Sequence, residues 1–65
     1  MTWIKTSERL PEDGQLCWVY WVGEDAPGGK VELETFYPWY VETENTTMYV
    51  THWMSLVRPE PPKDE

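Results

Sequence analysis

Cys17 and His52 are the residues of this sequence whose chemistry could form a metal site or a nucleophile–base pair. A structural zinc site usually needs four Cys or His ligands, and the chain holds one residue of each type. A Cys–His pair also needs a third group that orients the base, and no recognisable motif supplies it. Cys17 lies in an apolar run typical of a buried strand, and His52 alternates with apolar residues. We therefore predict no metal site and no nucleophilic catalysis.

Other signatures of enzymes are missing from the sequence as well. It contains no P-loop, no dinucleotide-binding fingerprint and no nucleophile elbow. Carboxylate pairs are plentiful, but a glycosidase also needs a cleft around a sugar ring, for which 65 residues leave little room. We expect a non-enzymatic protein without a cofactor.

The acidic residues are concentrated in the middle of the sequence. Between Pro11 and Val57 there are eight acids and a single base, Lys30, whereas the two ends hold four acids and four bases. The whole net charge of −7 therefore belongs to the central part. The eight acids are Glu12, Asp13, Glu24, Asp25, Glu32, Glu34, Glu42 and Glu44. This charge opposes direct binding to nucleic acid or to an anionic membrane.

The spacing of these acids suggests a binding surface that resembles nucleic acid. Acids two residues apart on an extended chain are ~6.7 Å apart, and the phosphates of one DNA strand follow each other every ~3.4 Å. Two adjacent rows of such acids would approach the charge density of DNA. The predicted binding surface consists of Glu24, Asp25, Glu32, Glu34, Glu42 and Glu44, with Trp39 and Tyr40 as possible aromatic anchors. The alternative interpretation is a solvated surface that keeps a small, aromatic-rich protein soluble.

The elements that must position these residues are short strands. Residues 16–22 are apolar throughout and lie between glycines, which predicts a central strand covered on both faces. Residues 30–37 alternate, with Val31 and Leu33 on one side and Glu32, Glu34 and Phe36 on the other, which predicts a half-buried strand that shows its carboxylates to solvent. Residues 47–54 predict another strand, and residues 39–41 a short one after a bend at a proline.

These elements predict an α+β or mainly β fold with a small antiparallel sheet of three to four strands. Polar, turn-rich loops at residues 23–29 and 42–46 favour a meander. Near the N-terminus, Thr6 or Ser7 could cap at most one short helical turn, while Trp3 and Ile4 could form a short edge strand or pack across an open face of the sheet.

Length and composition indicate one small domain. We expect a compact unit of residues 1–58 and a proline-rich, charged tail of residues 59–65. Five Trp, four Tyr and one Phe supply large apolar side chains for the core. One cysteine indicates a reducing compartment, and no apolar run is long enough to span a membrane, so we expect a cytoplasmic protein.

Both ends of the sequence carry motifs. Trp3 is followed by SERLPEDG at residues 7–14, and THWM at residues 51–54 is followed by PEPP at residues 59–62. Together they resemble a family of small domains of unknown function that is common in bacteriophages, prophages and their hosts. The resemblance implies a phage or mobile-element setting and a compact α+β or β fold, and it implies no reaction. The motif residues are interpreted as architectural.

Two classes of function follow. The first is a phage inhibitor, similar to an anti-CRISPR protein, whose acidic surface occupies a basic nucleic-acid-binding surface of a host protein, with a CRISPR effector as the most natural target. The second is a binding module in which exposed tryptophans stack on a neutral ligand such as a carbohydrate, or a module that associates with itself. The protein is expected to be a monomer or a homodimer.

Overall fold

Four antiparallel strands and one 3₁₀ helix make up the fold in the computed structural model, which describes residues 2–56 and 61–62. The strands are β1 (Ile4–Lys5), β2 (Leu16–Val22), β3 (Lys30–Thr35) and β4 (Tyr49–Ser55), and the 3₁₀ helix is Pro38–Val41. They form one sheet in the order β1-β4-β2-β3. The prediction of a small antiparallel sheet with almost no helix is confirmed. The boundary predicted between residues 58 and 59 lies outside the described residues.

The strand order differs from the meander that the sequence predicted. A glycine-rich loop joins β2 to β3 as a hairpin, but β4 then pairs with the other edge of β2 instead of β3. The predicted strand at residues 39–41 is wrong, because Pro38 begins the 3₁₀ helix there. Proline has its φ angle fixed near a helical value and no N–H to give to a ladder, so it suits a first helical position. The chain between β3 and β4 therefore crosses one face of the sheet.

The strand register gives the sheet two very different faces. Residues paired across antiparallel strands point to the same side, and Val19 is paired with both Trp53 and Glu32. We call this side the core face, because its buried residues form the hydrophobic core together with Ala26 and Phe36. They are Cys17, Val19, Trp21, Val50 and Trp53. Partly buried Tyr40 and Val41 of the 3₁₀ helix pack against this cluster.

The other side of the sheet, which we call the open face, has no such cover from residues 2–56 and 61–62. It carries Trp18, Tyr20 and Val22 of β2, all partly exposed, beside Val31 and Leu33 of β3. The prediction that β2 is covered on both faces is therefore wrong. Its continuous apolar run reflects one buried face and one apolar face that remains accessible.

Strand β3 is oriented opposite to the expectation. Val31 and Leu33, expected to be buried, are 54% and 44% exposed on the open face. Glu32 and Glu34, expected to face solvent, are partly buried on the core face, where they pair with Val19 and Cys17. β3 is an edge strand, and inward-pointing charges at an edge discourage pairing with a further strand.

A bulge in β4 interrupts the alternation that was expected for residues 47–54. The pairing of β2 with β4 shifts between Tyr20, which is opposite His52, and Trp21, which is opposite Val50. The extra residue, Thr51, reverses the alternation. His52 therefore faces away from Val50, and a strict alternation through residues 47–54 fails at this point.

The two terminal motifs meet at the edge of the sheet. The backbone N–H of Thr6 donates to the carbonyl of Thr51 at 2.9 Å, and Nε1 of Trp53 donates to the carbonyl of Arg9 at 2.8 Å. The Arg9 guanidinium also lies 5.6 Å from the centre of the Trp53 ring, within cation–π range. These contacts give Arg9, Thr51 and Trp53 an architectural role. A hydrogen-bonded turn, in which the N–H groups of Glu8 and Arg9 donate to the Lys5 carbonyl, stands where a helical turn was allowed.

Candidate functional site

Two surfaces of the sheet could bind a partner, and the first contains the predicted acids. Glu24 and Asp25 lie exposed in the β2–β3 loop, and Glu42 and Glu44 lie exposed in the segment that follows the 3₁₀ helix. Asp25 joins the two segments, because its N–H donates to the Thr47 carbonyl at 3.1 Å and its carboxylate accepts a hydrogen bond from the Thr47 hydroxyl. Both segments lie at the same end of the sheet, where Val22 pairs with Tyr49.

Glu32 and Glu34 lie on the core face of edge strand β3, and each carboxyl group shifts the pKa of the other. Lys30 is 3.2 Å from a carboxylate oxygen of Glu32, and the Tyr40 hydroxyl donates to Glu34 at 3.4 Å. Burial, followed by the hydrogen bond and the charge of Glu32, raises the pKa of Glu34. The hydrogen bond with Glu34, followed by that with Lys30, lowers the pKa of Glu32. As the pH falls, Glu34 is therefore the first of the two to take a proton, and its protonation removes one of the two negative charges.

The raised pKa of Glu34 predicts a pH-dependent stability. Between the ordinary pKa of a glutamate and the raised one, the native state binds a proton that the unfolded state has lost. The contribution of Glu34 to stability therefore falls as pH rises through this interval. Glu34→Gln, which cannot ionise, is expected to unfold at a higher temperature than the wild type at pH 7, with a difference that narrows at about pH 4. Glu44→Gln is the exposed control, and a Glu34→Gln difference that does not change with pH would contradict the prediction.

An exposed aromatic stack lies beside this acidic pair. The rings of Tyr37 and Trp39 are parallel, with centroids 4.8 Å apart, and Trp39 is 60% exposed. Tyr40 stands perpendicular to both rings, at 6.0 Å from each, and packs its ring 5.0 Å from Trp21. Of the two anchors taken from the sequence, Trp39 is therefore presented to solvent, whereas Tyr40 is partly buried and links the stack to Glu34 through its hydroxyl.

Tyr37 was not among the residues selected from the sequence. Its alternation with Val31 and Leu33 placed it inside a strand, but β3 ends at Thr35 and the backbone of Tyr37 is the extended N-cap of the 3₁₀ helix. The available signal was Pro38, since a proline between two aromatic residues breaks the alternation and allows both rings to fall on one side.

The second surface is a shallow concavity on the open face. Its volume is about 240 Å³, and it is lined by Trp3, Tyr20, Val31 and His52. The ring centroid of Tyr20 lies 6.2 Å from that of Trp3 and 6.1 Å from that of His52. Nδ1 of His52 is 2.8 Å from the hydroxyl of Thr51. No paired strand residue on the open face within the described part of the chain is acidic, so this concavity is apolar and aromatic.

Neither surface has the elements of a metal centre in the described ranges. Within residues 2–56 and 61–62, no three His, Cys, Asp or Glu side chains are grouped so that they could hold a metal ion. Cys17 is fully buried, and burial raises the pKa of its thiol, which disfavours the thiolate that a metal or an electrophile would need. No helix in this part of the chain is long and apolar enough to cross a membrane.

Comparison with known proteins places the chain in a family. The model of the family described as protein of unknown function (DUF551) matches residues 2–63, and the chain therefore belongs to this family. The expectation of a small domain family of unknown function is confirmed. No curated protein and no solved structure matches the chain.

Proposed function

We propose that this member of the DUF551 family is a non-enzymatic inhibitor that binds a basic, nucleic-acid-binding surface of a host protein in the bacterial cytoplasm. A defence complex such as a CRISPR effector is the most natural target. The observation that carries the proposal is the segregation of charge. The six acids of the predicted surface lie on the core face of β3 and in the two segments at the Val22–Tyr49 end of the sheet, while the paired positions of the open face in the described ranges carry no acid. Solubility alone needs only net charge, which could be interleaved with bases, whereas the acids between Pro11 and Val57 are accompanied by a single base, Lys30.

The aromatic stack supports the same mode of binding. Proteins that bind single-stranded nucleic acid combine a positively charged groove with side chains on which bases stack. A mimic needs an anionic part for the charged groove and a flat part for the stacking side chains. Tyr37 and Trp39 supply the flat part next to Glu34, to which they are linked through Tyr40. An exposed tryptophan is also a common centre of binding energy in protein interfaces.

The motifs at the two ends of the sequence support a phage or mobile-element setting. SERLPEDG and THWM resemble those of domains common in phages and prophages, for which a host defence complex is a natural opponent. A net charge of −7 on 65 residues would attract a basic groove from a distance and give an association rate that falls steeply with salt.

The proposal is tested by reversing charge at exposed positions. The tagged protein is incubated with bacterial lysate and washed at about 0.1 M and then about 0.5 M salt, where screening becomes strong. We expect a nucleic-acid-handling protein to be retained in the first wash and released in the second. Glu42→Lys combined with Glu44→Lys is expected to abolish retention, because both carboxylates are exposed on the acidic side.

A matched control makes the result specific. Glu12→Lys combined with Asp13→Lys changes the net charge by the same amount at exposed positions outside the proposed surface, so this variant should retain the partner. Equal loss in both variants would show that only net charge matters. A partner that resists about 0.5 M salt, or no partner at all, would overturn the proposal.

A further inference from the structure

The open face is an exposed apolar surface that the proposed function does not use. Three of its aliphatic side chains are among the most exposed of the protein: Val31 at 54%, Leu16 at 47% and Leu33 at 44%. Trp18 and Tyr20 lie beside them on β2, Met54 lies next to Trp18 on β4, and all three are only partly buried. Soluble monomers rarely expose a contiguous apolar patch of this kind unless something binds it.

We propose that the open face is the interface of a symmetric homodimer. The distribution of charge favours a second copy of the chain as its occupant. Two chains that each carry −7 repel each other through most of their surfaces. At the paired strand positions of the described part, the open face carries Lys5 as its one charged residue and no acid, so two copies can approach there without opposing carboxylates.

The shape of the open face also suits pairing with itself. A twofold interface brings the same patch of both subunits together, so a patch that holds a concavity needs a projection of its own to fill the concavity of the other copy. The concavity of about 240 Å³ is lined partly by Val31, and Leu33 projects from the same strand and the same face two residues away, ~6.7 Å along the chain. A twofold axis between these positions would place Leu33 of each copy in the concavity of the other.

The edges of the sheet are less suitable for self-association. Pairing of two β3 strands would bring Glu32 and Glu34 of both copies side by side, and like charges opposite each other destabilise a strand pair. Strand β1 covers only Ile4–Lys5 at the other edge, which offers a short ladder. The two copies are therefore expected to pack face to face, with both acidic surfaces directed outward and free to bind separate partners.

The test is the concentration dependence of molecular mass. Sedimentation equilibrium between about 10 µM and 1 mM covers the affinity range of a weak to moderate dimer. We expect the mass to rise with concentration toward twice the chain mass of 7.8 kDa. Val31→Lys, and independently Leu33→Lys, should remain near the monomer mass, because each places a charge in the apolar interface. Leu10→Lys is the control, since Leu10 is 48% exposed and lies in the segment between β1 and β2, outside the paired strand positions.

Circular dichroism and thermal unfolding at low concentration confirm that each variant is folded. Since binding to the native state alone stabilises it by mass action, the unfolding temperature of the wild type should also rise with concentration, and that of Val31→Lys should not. A wild type that stays monomeric at about 1 mM would overturn the proposal. So would saturable quenching of tryptophan fluorescence by oligosaccharides in that monomer, which would assign the concavity to a neutral ligand. Because none of these variants alters the acidic surface, failure here is distinct from failure of the proposed inhibition.

Discussion

Trp53→Ala is expected to leave the domain largely unfolded at 25 °C. Trp53 is 3% exposed, pairs with Ile4 on β1 and Val19 on β2, and holds the N-terminal segment through its hydrogen bond to the Arg9 carbonyl. Truncation of a buried tryptophan to alanine costs about 3–5 kcal/mol. A single core of fewer than ~70–80 residues rarely supplies more than about 3–5 kcal/mol in total, so the loss consumes most of the stability.

Urea unfolding followed by far-ultraviolet circular dichroism measures this effect. Trp39→Ala is the matched control, because it makes the same substitution at a ring that is 60% exposed and outside the core. We expect Trp39→Ala to unfold cooperatively with a midpoint near that of the wild type, and Trp53→Ala to show little or no cooperative transition. A Trp53→Ala protein with an unchanged midpoint would mean that the contact between the terminal motifs does not stabilise the fold.

The fold was partly accessible from sequence because its strongest signals are local. The apolar run of β2 between two glycines and the turn-rich loop after it are features of neighbouring residues, and both were predicted with nearly the observed bounds. The order of the strands was not accessible in this way. It depends on where the chain travels between β3 and β4, which Pro38 decides by starting a 3₁₀ helix that crosses the core face.

The orientation of β3 shows a limit of periodicity. Alternation divides a strand into two sides, but it does not say which side meets the core. Val31 and Leu33 made one side the obvious choice, yet the buried Phe36, which follows the strand, lies over the other. Because β3 is an edge strand beside an apolar face that the described residues leave accessible, side chains of both kinds are partly exposed, and the usual contrast between the two sides is weak.

The candidate site, like the fold, could be predicted from the sequence only in part. The acidic segment was evident from sequence because the net charge of a segment can be counted from its residues without knowledge of the fold. The linkage of Glu34 to the Tyr37–Trp39 stack through Tyr40 needed the 3₁₀ helix, and the concavity of Trp3, Tyr20 and His52 needed the register of β1, β4 and β2. The bulge at Thr51 also had no sequence signal, and it lets His52 lie on the open face while Val50 lies in the core.

Gly23→Ala is expected to have an effect as large as that of Trp53→Ala. Gly23 directly follows β2 and has a φ angle of +125°, a backbone conformation that residues with a side chain rarely adopt. A Cβ atom there would overlap the carbonyl oxygen of Thr47 and stand 2.8 Å from the Cα of Met48. Both contacts are with backbone, which cannot swing aside as a side-chain end could. The unfavourable φ angle alone costs about 1–3 kcal/mol, and the overlap adds to it.

This glycine also connects stability to the acidic surface. Its close approach to Thr47 lets Asp25, two residues later, bond to Thr47 and so hold Glu24 and Asp25 next to the segment of Glu42 and Glu44. Gly28→Ala is the control, because Gly28 has a φ angle of +77° but open space around its Cβ position, so it isolates the cost of the backbone conformation. In thermal unfolding, we expect Gly23→Ala to lose far more stability than Gly28→Ala. Equal losses of stability in the two variants would mean that the two loops are not in close contact. Nothing would then hold the acids of one loop next to those of the other.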